Sequence, residues 1–236
     1  FRLDWMSVYK FRCAKLDNFV HNRVLFVGDS AHVVSPFGAR GGNGGIQDVD
    51  NLGWKLAAVL SGDAPATLLN SYSDERCHGS AENILNSSRA TNFMTPKTPI
   101  EALFRNEVLN LAETHPFARK LINSGRLSQP CSLHGMPLQS GDHPLVGQSL
   151  IDAPLGDGWL VEQAQGAFTL LSIGGAAPQI DGIRPLHVDH PAPELARRYG
   201  TGHYLIRPDG HICAHFDSPD RDQITAAMAR AKGQHP

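Results

Sequence analysis

The chain has 236 residues, 41% of them hydrophobic, and a formal charge of −2. That length holds one large or two small domains, and that apolar share supplies a core. The near-neutral charge speaks against a dedicated nucleic-acid or anionic-membrane surface, and neither a membrane span nor a signal peptide is visible.

In the opening segment Val8, Lys10, Arg12 and Lys15 alternate weakly with apolar neighbours, as in the last strand of a sheet. Val24, Leu25, Phe26 and Val27 then form the short continuous run expected of a strand covered on both faces. Gly28-Asp29 stops that strand and sets a carboxylate at its carboxyl end, where ligands bind in open α/β sheets. Six glycines from Gly28 to Gly45 let backbone approach a ligand closely. A helix is predicted from near Gly44, with Ile46, Val49, Leu52, Leu56 and Leu60 on one stripe. Its amino-terminal N–H groups favour negative charge or a polarised carbonyl. A cofactor with a hydroxylated chain and an electron-rich ring suits this arrangement.

Asp63 before Ala64-Pro65 reads as a helix cap with an early proline. Leu68, Leu69, Tyr72, Ala81, Ile84 and Leu85 mark a long helix, with Gly79 as its weak point. Met94 to Pro99 is a breaker segment. Thr98-Pro99-Ile100-Glu101 is a capping box opening a helix with Ile100, Leu103, Phe104, Val108 and Leu111, which ends before His115-Pro116. Arg119, Leu121 and Ile122 suggest one or two further turns. From Ser124 to about Gly147 the composition shifts to Gly, Pro, Ser and His, the best domain boundary in the chain. Strands follow at Phe168–Ile173, Arg184–Val188, Tyr204–Arg207 and Gly210–Phe216. Short helices stand near Pro193–Tyr199 and from Pro219, and Pro208-Asp209-Gly210 reads as a hairpin turn. This alternation predicts an α/β sandwich. Cys13, Cys77, Cys131 and Cys213 form no C-x-x-C pair, so reduced cytosolic thiols are expected. The twelve histidines show no metal-ligand spacing, and His187-Val188-Asp189-His190 reads as a strand end, not a metal site.

Gly28-Asp29-Ser30-Ala31-His32, with Pro36-Phe37-Gly38-Ala39-Arg40-Gly41-Gly42-Asn43, resembles the second flavin motif of FAD-dependent aromatic hydroxylases of the p-hydroxybenzoate hydroxylase and phenol hydroxylase type. The match runs on through Gln47-Asp48-Val49-Asp50-Asn51-Leu52-Gly53-Trp54-Lys55-Leu56 to Tyr72 and Glu75-Arg76. The resemblance implies that Asp29, after Gly28, bonds the ribityl chain of FAD. It implies that Gly41, Gly42 and Asn43 lie at the ring, with the Gly42 and Asn43 N–H groups toward a ring carbonyl. Pro36, beside Phe37, would be part of the substrate wall. Alone, Gly28-Asp29 would be an ordinary turn and the glycine loop a flexible connector; their ordered combination favours a site. Arg40 reads either as a solvated side chain or as a positive charge beside a reduced, anionic flavin. His32 reads as a cap or packing group before a proton-transfer group, and Tyr72, Glu75 and Arg76 as helix packing without chemistry.

The dinucleotide fingerprint G-x-G-x-x-G that opens this family is not in the sequence, nor is its middle motif. The resemblance therefore implies the carboxyl-terminal part of a Rossmann-like FAD-binding domain with long helices over 1–125, a linker over 126–146 and a thioredoxin-like α/β domain over 147–236. That tail lacks C-x-x-C, with Ile173-Gly-Gly-Ala-Ala-Pro178 standing in its place, so homodimer contact or structural support is expected of it. The implied chemistry is oxygen transfer from a flavin hydroperoxide to a small aromatic, phenolic substrate, with O2 and NADH or NADPH consumed. The isolated chain is expected to hold FAD weakly or not at all. Two alternatives stay open: a related FAD monooxygenase acting on a polyketide or other non-phenolic substrate, and an incomplete fragment serving only as an oligomerisation or interaction module.

Overall fold

The computed structural model describes residues 2, 4–122 and 130–234. The chain divides into two compact units, one of residues 1–48 with 77–129 and one of residues 49–76 with 130–236.

In the first unit, β1 (Ala14–Lys15), β2 (Val20–His21), β3 (Val24–Leu25) and β4 (His32–Val33) make two small antiparallel pairs, β1 with β4 and β2 with β3. The strand expected over Val24–Val27 is thus shorter and more open, and Val24 is 55% exposed. Among the described residues β3 pairs only with β2. Val27 is drawn into the following turn, where its N–H and its carbonyl both bond the Ser30 hydroxyl. Residues 4–13 also form no strand, because a strand needs a neighbour to take up its backbone groups.

Two long helices follow. α1 spans Arg40–Leu60 and α2 spans Leu68–Met94; residues 40–48 and 77–94 belong to the first unit and the remainder to the second. The helical period expected for α1 is present, but the inward edge is a different one. Of the expected stripe Leu52 is buried and Leu56 half-buried, but Ile46, Val49 and Leu60 are exposed, whereas Arg40, Gly44, Asp48, Asn51 and Lys55 are buried. Those five positions fall three, four or seven apart, on one edge of the helix. Gly79 lies within α2 without breaking it. α3 (Pro99–Thr114) starts as expected: Thr98 accepts the Glu101 N–H while Glu101 accepts from the Thr98 and Lys97 N–H groups. Of its apolar stripe only Val108 is buried; Ile100, Leu103, Phe104 and Leu111 are exposed. α4 (Pro116–Ile122) follows directly.

The second unit is built on β5 (Pro154–Leu155), β6 (Gly158–Trp159), α5 (Leu160–Ala164), β7 (Thr169–Ile173), β8 (Arg184–Val188), α6 (Pro193–Tyr199), β9 (Gly202–Ile206), β10 (Ile212–Phe216) and α7 (Arg221–Ala231). The sheet order is β10-β9-β7-β8, with β7 and β8 parallel and the other pairs antiparallel. Alternate residues face opposite layers, as the strand period requires. Leu171, Ile173, Tyr204 and Ile206 pack with Leu160, Leu195 and Tyr199, while Leu170 and Leu205 pack with Ile224, Ala227 and Ala231 of α7. The alternating α/β tail and its closing hairpin are as expected: Gly210, at φ +77°, donates to the Arg207 carbonyl at 2.9 Å. Residues 126–129 of the expected linker lie outside the described residues. The rest of that segment lies on this unit, with Leu133, Leu138 and Val146 buried and the Ser140 N–H donating to the Cys213 carbonyl.

At the centre of this unit four charges are buried together. The Arg207 guanidinium donates to both oxygens of Glu75, at 2.7 and 2.9 Å, and forks onto Asp209. Lys55 Nζ donates to Glu75 at 2.8 Å and to Asn51 at 2.9 Å, and Asn51 Nδ2 donates to Glu75 and Asp209. The Trp54 ring lies 5.3 Å from the guanidinium. Burial alone would push Glu75 up, but Arg207 and then Lys55 hold it well below its ordinary value. Asp209 is depressed in the same way, Arg207 and His211 overriding burial. Burial wins at Lys55, pushed down to about 8 against the pull of Glu75, so Arg207 is the stronger partner of that carboxylate.

Glu75→Leu leaves two cations against one carboxylate and is expected to cost about 3–5 kcal/mol in urea denaturation. Adding Lys55→Met restores neutrality and should recover part of that loss; a double variant no better than the single one would contradict the coupling. Because both carboxylates titrate below their ordinary values of 4.5 and 3.8, their contribution is complete above those values and lost as pH falls below them. Wild-type stability should therefore drop more steeply below about pH 4.5 than that of the double variant, by urea midpoints at pH 6, 4.5 and 3.5.

Candidate functional site

The glycine segment folds locally into a tight sequence of turns. Phe26 N–H bonds the Phe19 carbonyl, and residues 28–30 make a single 3-10 turn closed by Ala31 N–H on the Gly28 carbonyl at 2.8 Å. Gly28 sits at φ +57°, a conformation closed to most side chains. Asp29 is exposed on this turn, and Pro36 is exposed on the loop that follows. Ser35 anchors that loop, its carbonyl accepting the Ser87 hydroxyl at 3.0 Å and its own hydroxyl lying 2.8 Å from Thr91 Oγ1. Ala39 is held at φ +51° with its carbonyl bonded by Asn43 Nδ2 at 2.7 Å. A left-handed alanine costs about 1–2 kcal/mol, and the Asn43 side chain holds it there as α1 begins.

Arg40, Gly41, Gly42 and Asn43 form the first turn of α1, whose leading N–H groups have no partner within the helix. No acidic residue stands in that turn, so none within it offsets the positive end of the helix dipole. A Cβ on Gly42 would meet nothing within 4 Å. Arg40 is buried and donates to Asn83 Oδ1 at 3.3 Å, so it is not a solvated side chain.

The turn and the helix start are brought against each other. A Cβ on Gly45 would come within 3.3 Å of Gly28 Cα, and one on Gly44 within 3.0 Å of His32 Cε1. Buried Asp48 joins the two: its Oδ2 accepts the Gly28 N–H at 2.9 Å and lies 2.6 Å from His32 Nε2. The His32 ring stacks on Phe19 with 5.8 Å between centroids, so it occupies the packing role under the strand end. Gly28 and the Gly41–Asn43 turn are thus parts of one assembly, with Asp29 and Pro36 on its open side. Sequence reading assigned no role to Asp48 or Asn83. The signal for Asp48 was its place on the polar edge shared by Arg40, Gly44, Asn51 and Lys55.

Residues 1–87 match the FAD binding domain family. An aromatic compound monooxygenase of Bacillus subtilis is 31% identical over 231 residues, covering 94% of this chain and 46% of that protein. The chain is thus similar to FAD-dependent monooxygenases along nearly its whole length. A rifampicin monooxygenase of Streptomyces venezuelae is 32% identical over 225 residues, covering 95% of this chain and 45% of the relative. The structure of the anhydrotetracycline hydroxylase OxyS from Streptomyces rimosus superposes with a TM-score of 0.71 at 28% identity, over 95% of this chain and 47% of that one. The chain thus spans about half the length of the curated relatives it matches.

Gly28→Ala should destabilise by about 1–2 kcal/mol, since it forces a Cβ into the left-handed region. Gly42→Ala, helical and with open space around it, should gain up to about 1 kcal/mol of stability. Chemical denaturation of both variants checks the contrast; equal effects would contradict the assigned backbone geometry.

Proposed function

We propose that this chain forms the isoalloxazine-facing part of an FAD site in a monooxygenase that hydroxylates an aromatic ring, with O2 and NADH or NADPH as co-substrates. One observation carries the reading: within the segment matched to an FAD binding domain, the Gly28–Asp29 turn is pressed against the amino-terminal turns of a helix with no acid in its first turn. The residues present fit the cofactor. A Cβ at Gly45 would crowd Gly28, while Gly42 leaves room for a ring edge.

In this reading FAD, when bound, supplies the electron transfer and oxygen activation. Asp29 accepts hydrogen bonds from ribityl hydroxyls. The N–H groups of Gly42 and Asn43, with Gly41 beside them, stabilise negative charge on a ring carbonyl through the helix end. Arg40 adds positive charge behind that turn, and Pro36 contributes to the wall that holds the substrate and excludes water. No side-chain nucleophile is required of the protein.

The substrate is proposed as a polycyclic, polyketide-type aromatic compound in preference to a simple phenol. The names of two relatives favour this, since one is a rifampicin monooxygenase and another an anhydrotetracycline hydroxylase. The tail is proposed to be thioredoxin-like, on the strength of its strand order and its single parallel pair. Residues 174–178 after β7 contain no cysteine, and burial pushes the Cys213 thiol up to about 12. A structural or homodimer-forming role without redox chemistry follows for it. A reduced, cytoplasmic setting belongs to the same reading, in keeping with all four cysteines being thiols.

The intact protein should be yellow, should oxidise NADH or NADPH, and should place one atom of isotopically labelled O2 in an aromatic polyketide product. A protein that retains no flavin would refute the reading. Asp29→Ala should weaken FAD binding about tenfold to a hundredfold, the loss of a charge-assisted hydrogen bond, by fluorescence titration.

A further inference from the structure

We propose that Asp48 is a positioning residue for the flavin site, setting the distance between the Asp29 turn and the amino terminus of α1 through Gly28 and His32. The inference rests on the flavin reading above and adds to it a residue that touches no cofactor.

Two elements must present groups to one rigid ring: the turn at residues 28–30 and the first turns of α1. Asp48 lies two helical turns inside α1, fully buried, and its Oδ2 takes the Gly28 N–H at 2.9 Å. The same oxygen lies 2.6 Å from Nε2 of buried His32. His32 is wedged between the Phe19 ring and the Gly44 backbone, where a Cβ would stand only 3.0 Å from Cε1. From the other side, Gly45 permits this approach because it has no side chain: a Cβ there would stand 3.3 Å from Gly28 Cα. The Asp48 contacts hold the turn in, and the bare Gly45 backbone leaves the space for it to sit there. Gly28 is the residue before Asp29, so bonding its N–H also fixes where the exposed Asp29 carboxylate starts from. A site held before its ligand arrives binds more tightly because less order is lost on binding.

The geometry, more than the charge, does this work. Asp48→Asn offers an amide oxygen in the same place, able to accept from Gly28 and from an Nε2–H tautomer of His32. Asp48→Ala removes the acceptor of the half-buried Gly28 N–H and leaves buried His32 Nε2 without this partner.

The test uses the intact protein, stripped of flavin and titrated with FAD by fluorescence quenching at 10 °C, with circular dichroism to show that each variant is folded. Wild type should bind. Asp48→Ala should raise the FAD dissociation constant about tenfold to a hundredfold, and Asp48→Asn should stay within about threefold of wild type. A folded Asp48→Ala that binds FAD as wild type does, whatever its melting temperature, would show a structural role only and overturn the proposal. An Asp48→Asn as weak as Asp48→Ala would overturn it too, since the amide keeps both hydrogen bonds. A wild type that binds no FAD would instead remove the flavin reading itself, and this inference with it.

Discussion

A buried polar group must find a hydrogen-bonding partner or cost several kcal/mol, and helix α1 places a whole edge of such groups inside. Arg40, Asp48, Asn51 and Lys55 are all buried along it. Each then dictates where some other element sits. Asp48 requires the Gly28 turn and His32; Arg40 requires Asn83 of α2; Asn51 and Lys55 require Glu75. Apolar contacts tolerate sliding by a fraction of an ångström, whereas these bonds do not. The architecture around the flavin motif is therefore specified by polar pairing more than by apolar volume.

The two halves of that edge do different work. Around Asp48 the interactions join backbone to side chain across a glycine turn, which suits a place where another molecule must fit between fixed walls. Around Lys55 four charges sum to zero and satisfy one another, with Arg207 gripping two carboxylates at once. A hydrophobic cluster of equal volume would be no less stable there. What the charges add is selectivity, because no shifted packing of α1, α2 and the β9–β10 turn pairs all of them.

Local features were legible in the sequence. The Thr98–Glu101 cap, the Pro208–Gly210 turn and the four strands of the main sheet of the tail all depend on residues within a few positions of one another, and all lie close to where pattern and turn chemistry put them. The flavin motif was legible as an ordered set, and the structure assembles Gly28 with the start of α1. The inward face of α1 was not. Its apolar stripe follows the helical period as well as its polar edge does, and of the stripe hydrophobicity chose, Leu52 is buried while Ile46, Val49 and Leu60 are exposed. The decisive partners are also remote in sequence, Gly28 to Asp48 over 20 positions and Glu75 to Arg207 over 132. Glu75 was correctly read as helix packing, but nothing near it announces an arginine on a distant hairpin.

The β9–β10 turn has a consequence for how such proteins can be recombined. Composition suggests that the tail could be cut away or exchanged near residues 126–146, as a module joined by a tether. Yet the tail carries Arg207 and Asp209, two of the four charges of the buried cluster, the other two being Lys55 and Glu75. Removing it would open a buried salt bridge to water and take from Glu75 its stronger partner. A tail from a relative could serve only if it brought an arginine and an acid on the same turn. Shuffling the carboxyl-terminal domain is thus limited by charge accounting at one hairpin, whatever the length or composition of the connecting segment.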